Sequence, residues 1–301
     1  MLSKSLLASL SLILAATVWG LIWYPYRLLE GAGLSGSVSS LITYLLGLPL
    51  LLFLVARLRQ TGKLEAGHNG LLLALALTAG WTNLAYVLAV IHGEVMRIML
   101  LFYLAPLWTV FFARVLLQER PGRAAYLVVA LSVAGAYVML SSTGGLPLPT
   151  NQAEWLGLSA GVGFALTNVL TRKTRSAPIE QRSLWVFAGV VVWSASYAIY
   201  QGGGAQVAQA VLQLDIGFWL IIAGISLSLL LATFSAQYGL TRTPANRAAV
   251  ILLSELVVAA LASRLLAGES MDLREWIGGS MIVAATLFSV NHATKLEPKN
   301  A

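Results

Sequence analysis

The chain is a series of long apolar runs interrupted by short polar stretches. A bilayer core about 30 Å thick requires about 20 predominantly apolar residues in a spanning helix. Ten runs approach that length, and several of the gaps between them are very short, as in antiparallel helical hairpins. The pattern therefore predicts ten membrane-spanning helices, which we number as segments one to ten: residues 5–24, 37–56, 70–91, 94–117, 123–141, 154–172, 183–200, 216–239, 244–267 and 275–292.

The composition agrees with a chain that is dissolved in lipid. Hydrophobic residues make up 58% of it and charged residues 10%, with a mean hydropathy of +0.80, whereas soluble domains are about 25% charged. The net charge of +7 does not indicate nucleic-acid binding, because the basic residues form no long run and no aromatic-laced patch. Cysteine is absent, which excludes disulfides, thiolate metal sites and cysteine nucleophiles.

The basic residues predict the orientation of the chain in the membrane. If the N-terminus is cytoplasmic, nearly all of the 19 Lys and Arg residues fall in cytoplasmic loops or helix ends; the exceptions are Arg27, Arg97, Arg264 and Arg274. Cytoplasmic loops of membrane proteins carry such an excess of positive charge. We therefore expect a multi-pass protein with both termini in the cytoplasm.

The second half of the sequence repeats features of the first. A shift of 150 positions superposes three pairs of charged residues: Arg97 with Arg247, Arg114 with Arg264, and Glu119 with Glu269. At a slightly different shift, residues 19–27 resemble residues 164–172. Each repeat would hold five helices, and because five is odd the second copy would insert upside down. The sequence thus predicts two inverted five-helix halves, residues 1–145 and 146–301, with a substrate site near the membrane midplane.

Three short motifs lead to a family resemblance. They are Trp19-Gly20 in segment one, PLWTVFFARVLLQER at the end of segment four, and LLAGE at the end of segment nine. In this order, within ten segments, they resemble the drug/metabolite transporter superfamily of the EamA type, and within it the aromatic amino acid exporters of bacterial inner membranes. The resemblance implies an all-α basket of ten helices around a central cavity, lined largely by segments one, three, four, six, eight and nine.

That resemblance also implies a function, the outward transport of aromatic or large neutral amino acids and related metabolites by alternating access. The chain departs from internal symmetry at one point, since segment nine has Glu255-Leu256 where segment four has Ala105-Pro106. We expect the two halves to differ in function at this position.

Glu255 lies near the middle of segment nine. An ionised carboxylate inside a bilayer is costly and usually faces a cavity or a partner. No Lys or Arg lies three or four positions away on the same helix. Glu255 could therefore bind the ammonium group of a substrate, carry a proton, or form a structural hydrogen bond between helices.

Other residues within the segments could complete a substrate site. Aromatic side chains offer stacking faces and a polar edge, although packing is the alternative role; those we select are Trp19, Trp81, Tyr86 and Tyr103. Amides could bind an ammonium or a carboxylate group, although they also cross-link helices; those we select are Asn83, Asn168 and Gln237. Pro106, in the middle of segment four, predicts a kink that could serve as a gating hinge.

Enzymatic signatures are missing from the sequence. It has no P-loop, no HExxH motif and no Ser-His-Asp set, and its three histidines lie near helix ends without metal-ligand spacing. We therefore expect no catalytic activity, no cofactor and no metal. The expected partners are a small-molecule substrate and membrane lipid, with no nucleic acid, and the protein is expected to be a monomer.

Three alternative functions remain open on the sequence alone. One is a broad exporter of hydrophobic cations, coupled to protons through Glu255. A channel is another, although the sequence has no ring of like charges or carbonyl filter. The third is an intramembrane enzyme, which would need a second acid or base close to Glu255.

Overall fold

The computed structural model of the protein describes most of the chain: residues 4–60, 69–118, 123–140, 148–202, 214–243 and 254–293, together with positions 208, 211, 212, 248, 251 and 252. The described residues form helices joined by turns, and no strand occurs among them.

The helices follow the hydrophobic pattern of the sequence. They are α1 (Lys4–Leu21), α2 (Trp23–Gly31), α3 (Gly36–Gln60), α4 (Asn69–His92), α5 (Val95–Phe102), α6 (Ala105–Leu116), α7 (Arg123–Leu140), α8 (Gln152–Lys173), α9 (Ile179–Gly202), α10 (Ile216–Arg242), α11 (Ser254–Ala262), which continues as a π-helical turn (Ser263–Ala267), and α12 (Leu273–Ala293). Each predicted segment coincides with one helix, or with a consecutive pair for segments one and four. Segment nine is described continuously only from residue 254.

Within the described residues, six helices or helix pairs are long and apolar enough by themselves to cross a bilayer: Leu6–Gly31, Gly36–Gln60, Asn69–His92, Val95–Leu116, Ile179–Gly202 and Ile216–Arg242. Many large apolar side chains lie on the outside of the bundle, among them Phe53, Ile199 and Leu220. A lipid solvent makes this exposure favourable, while the helices satisfy their backbone hydrogen bonds internally. The chain is therefore a multi-pass membrane protein.

Two helices are interrupted four residues before a proline. α1 ends at Leu21 and α5 ends at Phe102, and the residues four positions later are Pro25 and Pro106. Proline has no N–H to donate to the carbonyl four residues earlier, and its ring crowds that carbonyl. Pro49, by contrast, lies within α3 without interrupting it.

Successive passes run in opposite directions and define two ends of the bundle. At one end, which we call the Arg27 end, the Arg27 guanidinium donates to the carbonyls of Val90 and Gly93 at 2.8 and 2.7 Å, close to the last turn of α4. At the other end, called the Lys173 end, the Lys173 ammonium donates to the Leu116 carbonyl at 2.9 Å and joins the ends of α8 and α6.

The helices pack in a regular set of pairs. α4 packs against both α8 and α9, α3 packs against α9, and α1 packs against α10 and α11. α8 also contacts α5 and α6, while α7 packs mainly against α12.

Glycines allow α4 and α9 to touch backbone to backbone. A Cβ atom added to Gly189 would collide with the Ala76 carbonyl group, and one added to Gly80 would collide with the Gly189 carbonyl. Small residues permit such close helix approach in membranes. This contact fixes the separation of α4 and α9.

Candidate functional site

A central cavity of about 150 Å³ lies between the helices. It is bordered by residues from α1, α2, α3, α4, α5, α8, α9, α10 and α11. Segments two and seven therefore add to the six segments that were expected to line it. A dry protein cavity of about this volume can hold one benzene ring, so the space suits a planar ring.

Most of the residues selected from the sequence lie at this cavity. Those that line it are Trp19, Asn83, Tyr86, Asn168, Gln237 and Glu255. Tyr103 does not line it but is bonded to Glu255, as described next. Trp81 lies outside the lining, and its ring packs edge to face against Trp193, with ring centroids 5.1 Å apart.

Glu255 is buried, with 3% of its surface exposed. The Tyr103 hydroxyl lies 2.9 Å from Oε2 of Glu255 and also 2.9 Å from the Leu252 carbonyl oxygen. A phenol has one hydrogen to donate, so Tyr103 donates to one of these acceptors at a time. Within the described part of the chain Glu255 forms no ion pair. The carboxylate is thus held by a neutral group and remains able to accept a cationic ligand.

Gly20 brings α1 close to the backbone that carries Glu255. A Cβ atom on Gly20 would lie 2.8 Å from the Glu255 carbonyl oxygen and 3.0 Å from Val258 Cβ. Any larger residue would therefore push α1 away from α11. The Trp19-Gly20 motif thus has a physical role: Gly20 permits the approach, and Trp19 lines the cavity beside it.

Aromatic rings form a continuous wall beside the carboxylate. The Phe102 ring lies 5.0 Å from Phe164, 5.6 Å from Tyr86 and 5.7 Å from Tyr103, measured between centroids. Trp19 continues the wall by packing edge to face on Phe164 at 6.1 Å. Phe102 and Phe164 do not stand out in the sequence, because nothing in an entirely apolar stretch indicates which way an apolar ring points.

Two amides present unpaired atoms at the cavity. Asn83 Nδ2 donates to the Tyr44 hydroxyl at 3.0 Å, while Asn83 Oδ1 and Gln237 Oε1 are buried without a hydrogen-bond partner in the described structure. Both side chains line the cavity. Because the two ends of an amide are assigned from the bonding pattern, either group could turn to face a ligand as a donor or as an acceptor. Buried polar atoms are usually paired, so these two atoms are suited to a ligand.

The ionisable groups at the described lining of the cavity are of one sign. Among the described lining residues Glu255 is acidic and none is basic. The Thr82 hydroxyl donates to the Thr78 carbonyl of its own helix at 2.8 Å. Within the described ranges no three His, Asp or Glu side chains gather as a metal site.

Replacing Pro106 by alanine should change the transport rate. Alanine would supply the N–H that the Phe102 carbonyl lacks, so α5 and α6 could join into one helix and displace Tyr103. We expect normal expression and an altered maximal rate in liposomes. Pro49→Ala is the matched control, because α3 is already continuous. Unchanged kinetics for every tested substrate would remove Pro106 from the mechanism.

Comparison with known proteins identifies relatives over nearly the whole chain. The sequence model of the EamA-like transporter family matches twice, at residues 6–141 and at residues 151–291. An uncharacterized transporter from Archaeoglobus fulgidus is 27% identical over 219 residues, which cover 72% of this chain and 75% of that protein.

A solved crystal structure of another protein has a similar fold. It superposes with a TM-score of 0.65 at 16% sequence identity, and the match covers 97% of this chain and 99% of that one. At this identity the likeness concerns the fold alone.

Proposed function

Because the chain belongs to the EamA-like transporter family, we propose that it exports aromatic or large neutral amino acids and related metabolites by alternating access. One observation carries the substrate class: a cavity of about 150 Å³ combines a wall of aromatic rings with one buried carboxylate among its described lining residues. In this scheme the protein performs no catalysis and uses no cofactor.

The cavity offers a separate place for each part of such a substrate. The ammonium group binds Glu255, whose Oε2 accepts from Tyr103 at 2.9 Å. The side-chain ring lies against Phe102 and its aromatic neighbours. The carboxylate of the substrate accepts hydrogen bonds from the amide N–H groups of Asn83 and Gln237, once each amide has turned its NH2 group into the place of the oxygen that has no partner in the described structure.

We further propose that residues 1–145 and 146–301 are inverted halves. Support comes from the two separate matches to one family model and from helix pairs that exchange under the swap. Under this swap, segment three (α4) corresponds to segment eight (α10), and segment six (α8) corresponds to segment one (α1). In the structure α4 packs against α8, and α10 packs against α1. Trp19 and Phe164, which occupy matching positions in the two halves, lie in contact at 6.1 Å.

The proposed location is the bacterial inner membrane, with both termini cytoplasmic and the protein acting as a monomer. The charge bias across the loops supports this orientation. Two of the four arginines that oppose the bias are compensated, since Arg27 pairs with Glu269 and Arg97 pairs with Glu154 and Glu275. Their charges therefore weigh little against the excess on the cytoplasmic side.

A second candidate function is the export of hydrophobic cations with Glu255 as the counter-ion and proton site. No basic residue occurs among the described lining residues. This favours the second function, because a hydrophobic cation has no carboxylate group that would require a basic partner. Rings arranged around a cation also attract it electrostatically.

Counterflow in liposomes with three matched compounds would separate these functions. All three compounds contain a phenyl ring. Phenylalanine carries both an ammonium and a carboxylate group, phenethylamine carries only the ammonium group, and 3-phenylpropionate carries only the carboxylate group. Amino acid export predicts saturable counterflow with phenylalanine, weak competition by phenethylamine and none by 3-phenylpropionate. Strong competition by phenethylamine and lipophilic cations, with none by phenylalanine, would favour the second function. Failure of all three compounds to compete with any labelled amino acid would reject the first.

A further inference from the structure

Arg27 joins four elements at one end of the bundle. Its guanidinium donates to the Val90 and Gly93 carbonyls at 2.8 and 2.7 Å, and to Glu269 Oε1 at 3.1 Å. The other oxygen of Glu269 accepts from the Met96 backbone N–H at 3.3 Å. The contacts thus connect α2, the end of α4, the start of α5 and the turn that follows α11.

This cluster lies directly beyond the cavity. Tyr26 and Val87 line the cavity, and Arg27 and Val90 follow them by one and three residues. Arg27 also lies over the Trp23 ring, with its central carbon 5.0 Å from the ring centroid. The contacts of Arg27 therefore close the bundle one helical turn above the cavity.

The cavity extends towards the opposite end of the bundle. Thr171 and Leu240, which line it, lie in the last turns of α8 and α10, and α8 ends at the Lys173 end. Towards the Arg27 end, the lining residues of α4 stop at Val87, five residues before that helix ends. In this conformation, therefore, a thicker layer of protein separates the cavity from the Arg27 end than from the Lys173 end.

We propose that the Arg27–Glu269 ion pair is the gate that closes the cavity at the Arg27 end. Glu269 lies on the segment that follows α11, the helix that carries Glu255. Separation of this one pair, with its bonds to α4 and α5, frees α2 and the end of α11 from each other. The proposal depends on the proposed function only in assuming that the cavity opens at each end in turn.

The energetic character of the pair suits a gate. The side chains of Arg27 and Glu269 are 26% and 17% exposed, so water reaches both. A partly hydrated pair is weaker than a fully buried one, and its partners can be solvated when it separates. A gate requires this property, because it must break and re-form during each cycle.

A second ion-pair cluster at the same end has a different character. Arg97 lies 2.7 Å from Glu154 and 3.7 Å from Glu275, although its Nε–H is not aligned for a hydrogen bond. Glu154 and Glu275 are each fixed at a helix start, where Asn151 and Asp272 respectively accept from their backbone N–H groups. Arg97, in α5, therefore connects this helix to the starts of α8 and α12, and it is not part of the proposed gate.

Thiol labelling tests the gate without any substrate, so the result is independent of the proposed function. The chain contains no cysteine, and a single cysteine replaces Val87 in the cavity. An impermeant methanethiosulfonate is added to right-side-out and to inverted membrane vesicles. Glu269→Gln should raise the rate of labelling at least about tenfold from one face, since loss of one charge leaves Arg27 uncompensated.

Three controls make the test specific. Ala32→Cys, an exposed position at the same end, should label equally fast with and without Glu269→Gln. Arg264→Gln removes an exposed charge near Glu269 and should leave labelling at Val87→Cys unchanged. Glu269→Asp, which keeps the charge on a shorter side chain, should give an intermediate rate.

A double variant tests whether the two residues act as a pair. Arg27→Gln combined with Glu269→Gln should label no faster than the faster single variant, because each single change already breaks the Arg27–Glu269 ion pair. Equal labelling of Val87→Cys in the wild-type and Glu269→Gln backgrounds would overturn the proposal. So would multiplicative effects in the double variant, or an equal rise in labelling at Ala32→Cys.

Discussion

Glu255→Gln should weaken substrate binding by roughly 10- to 100-fold while leaving the fold intact. A hydrogen bond to a charged group contributes about 1.5–3 kcal/mol, and each 1.4 kcal/mol is a tenfold change in affinity. Glutamine keeps the size of the side chain and still accepts from Tyr103, so the contact seen at 2.9 Å can persist. The variant loses only the charge that attracts an ammonium group.

The measurement is counterflow in liposomes, normalised to folded protein, over pH 5.5 to 8 (a range set by the assay). Glu255→Asp should give a partial defect, because the carboxylate moves by one methylene. Glu180→Gln is the control, since this acid lies in the first turn of α9 and does not line the cavity. Wild-type flux and pH profile in Glu255→Gln, or lower thermal stability with normal flux, would assign Glu255 a structural role only.

Gly189→Ala should destabilise the protein more than alanine at the other helical glycines in the described part of the chain. The new Cβ would collide with the backbone of Ala76, and a backbone cannot turn aside as a flexible side chain can. Overpacking of this kind costs about 1–3 kcal/mol, and separation of α4 from α9 would also disturb Asn83. We expect a low yield of monodisperse protein and a clearly reduced apparent melting temperature.

Gly224→Ala is the matched control, because nothing lies within 4 Å of a Cβ atom at this position in α10. Alanine is favoured over glycine within a helix by about 0.5–1 kcal/mol, so this variant should be as stable as the wild type or more so. Equal melting temperatures for the two variants would contradict the close contact between α4 and α9.

Much of the helical framework was predictable from the sequence, because lipid imposes a length and a polarity on each spanning helix. The prolines explain where that prediction was too simple. Segments one and four were expected as single helices, with a kink at Pro106, yet α1 and α5 end four residues before Pro25 and Pro106. Segment one was also expected to end at residue 24, whereas α2 continues to Gly31. Arg27 is compatible with this longer helix because its charge is paired.

The candidate site was only partly predictable. Glu255 and the amides Asn83 and Gln237 stand out because polar groups are expensive in lipid and must face a partner or a cavity. Phe102, Phe164 and Tyr44 do not stand out, because periodicity cannot assign a direction when all sides of a helix are apolar. Trp81 shows the same limitation, since its ring packs on Trp193 outside the cavity.

The ion pairs at the Arg27 end also affect how the protein is made. Both arginines, Arg27 and Arg97, belong to the first half of the sequence, whereas their partners Glu154, Glu269 and Glu275 all belong to the second. Synthesis proceeds from the N-terminus, so the first five passes emerge with two cations whose counter-charges do not yet exist. Those passes can be inserted in the membrane, but the full set of contacts of Arg97 forms only after Glu275, near the start of the last helix, has been translated. Assembly of this transporter therefore includes contacts that can form only when translation is nearly complete.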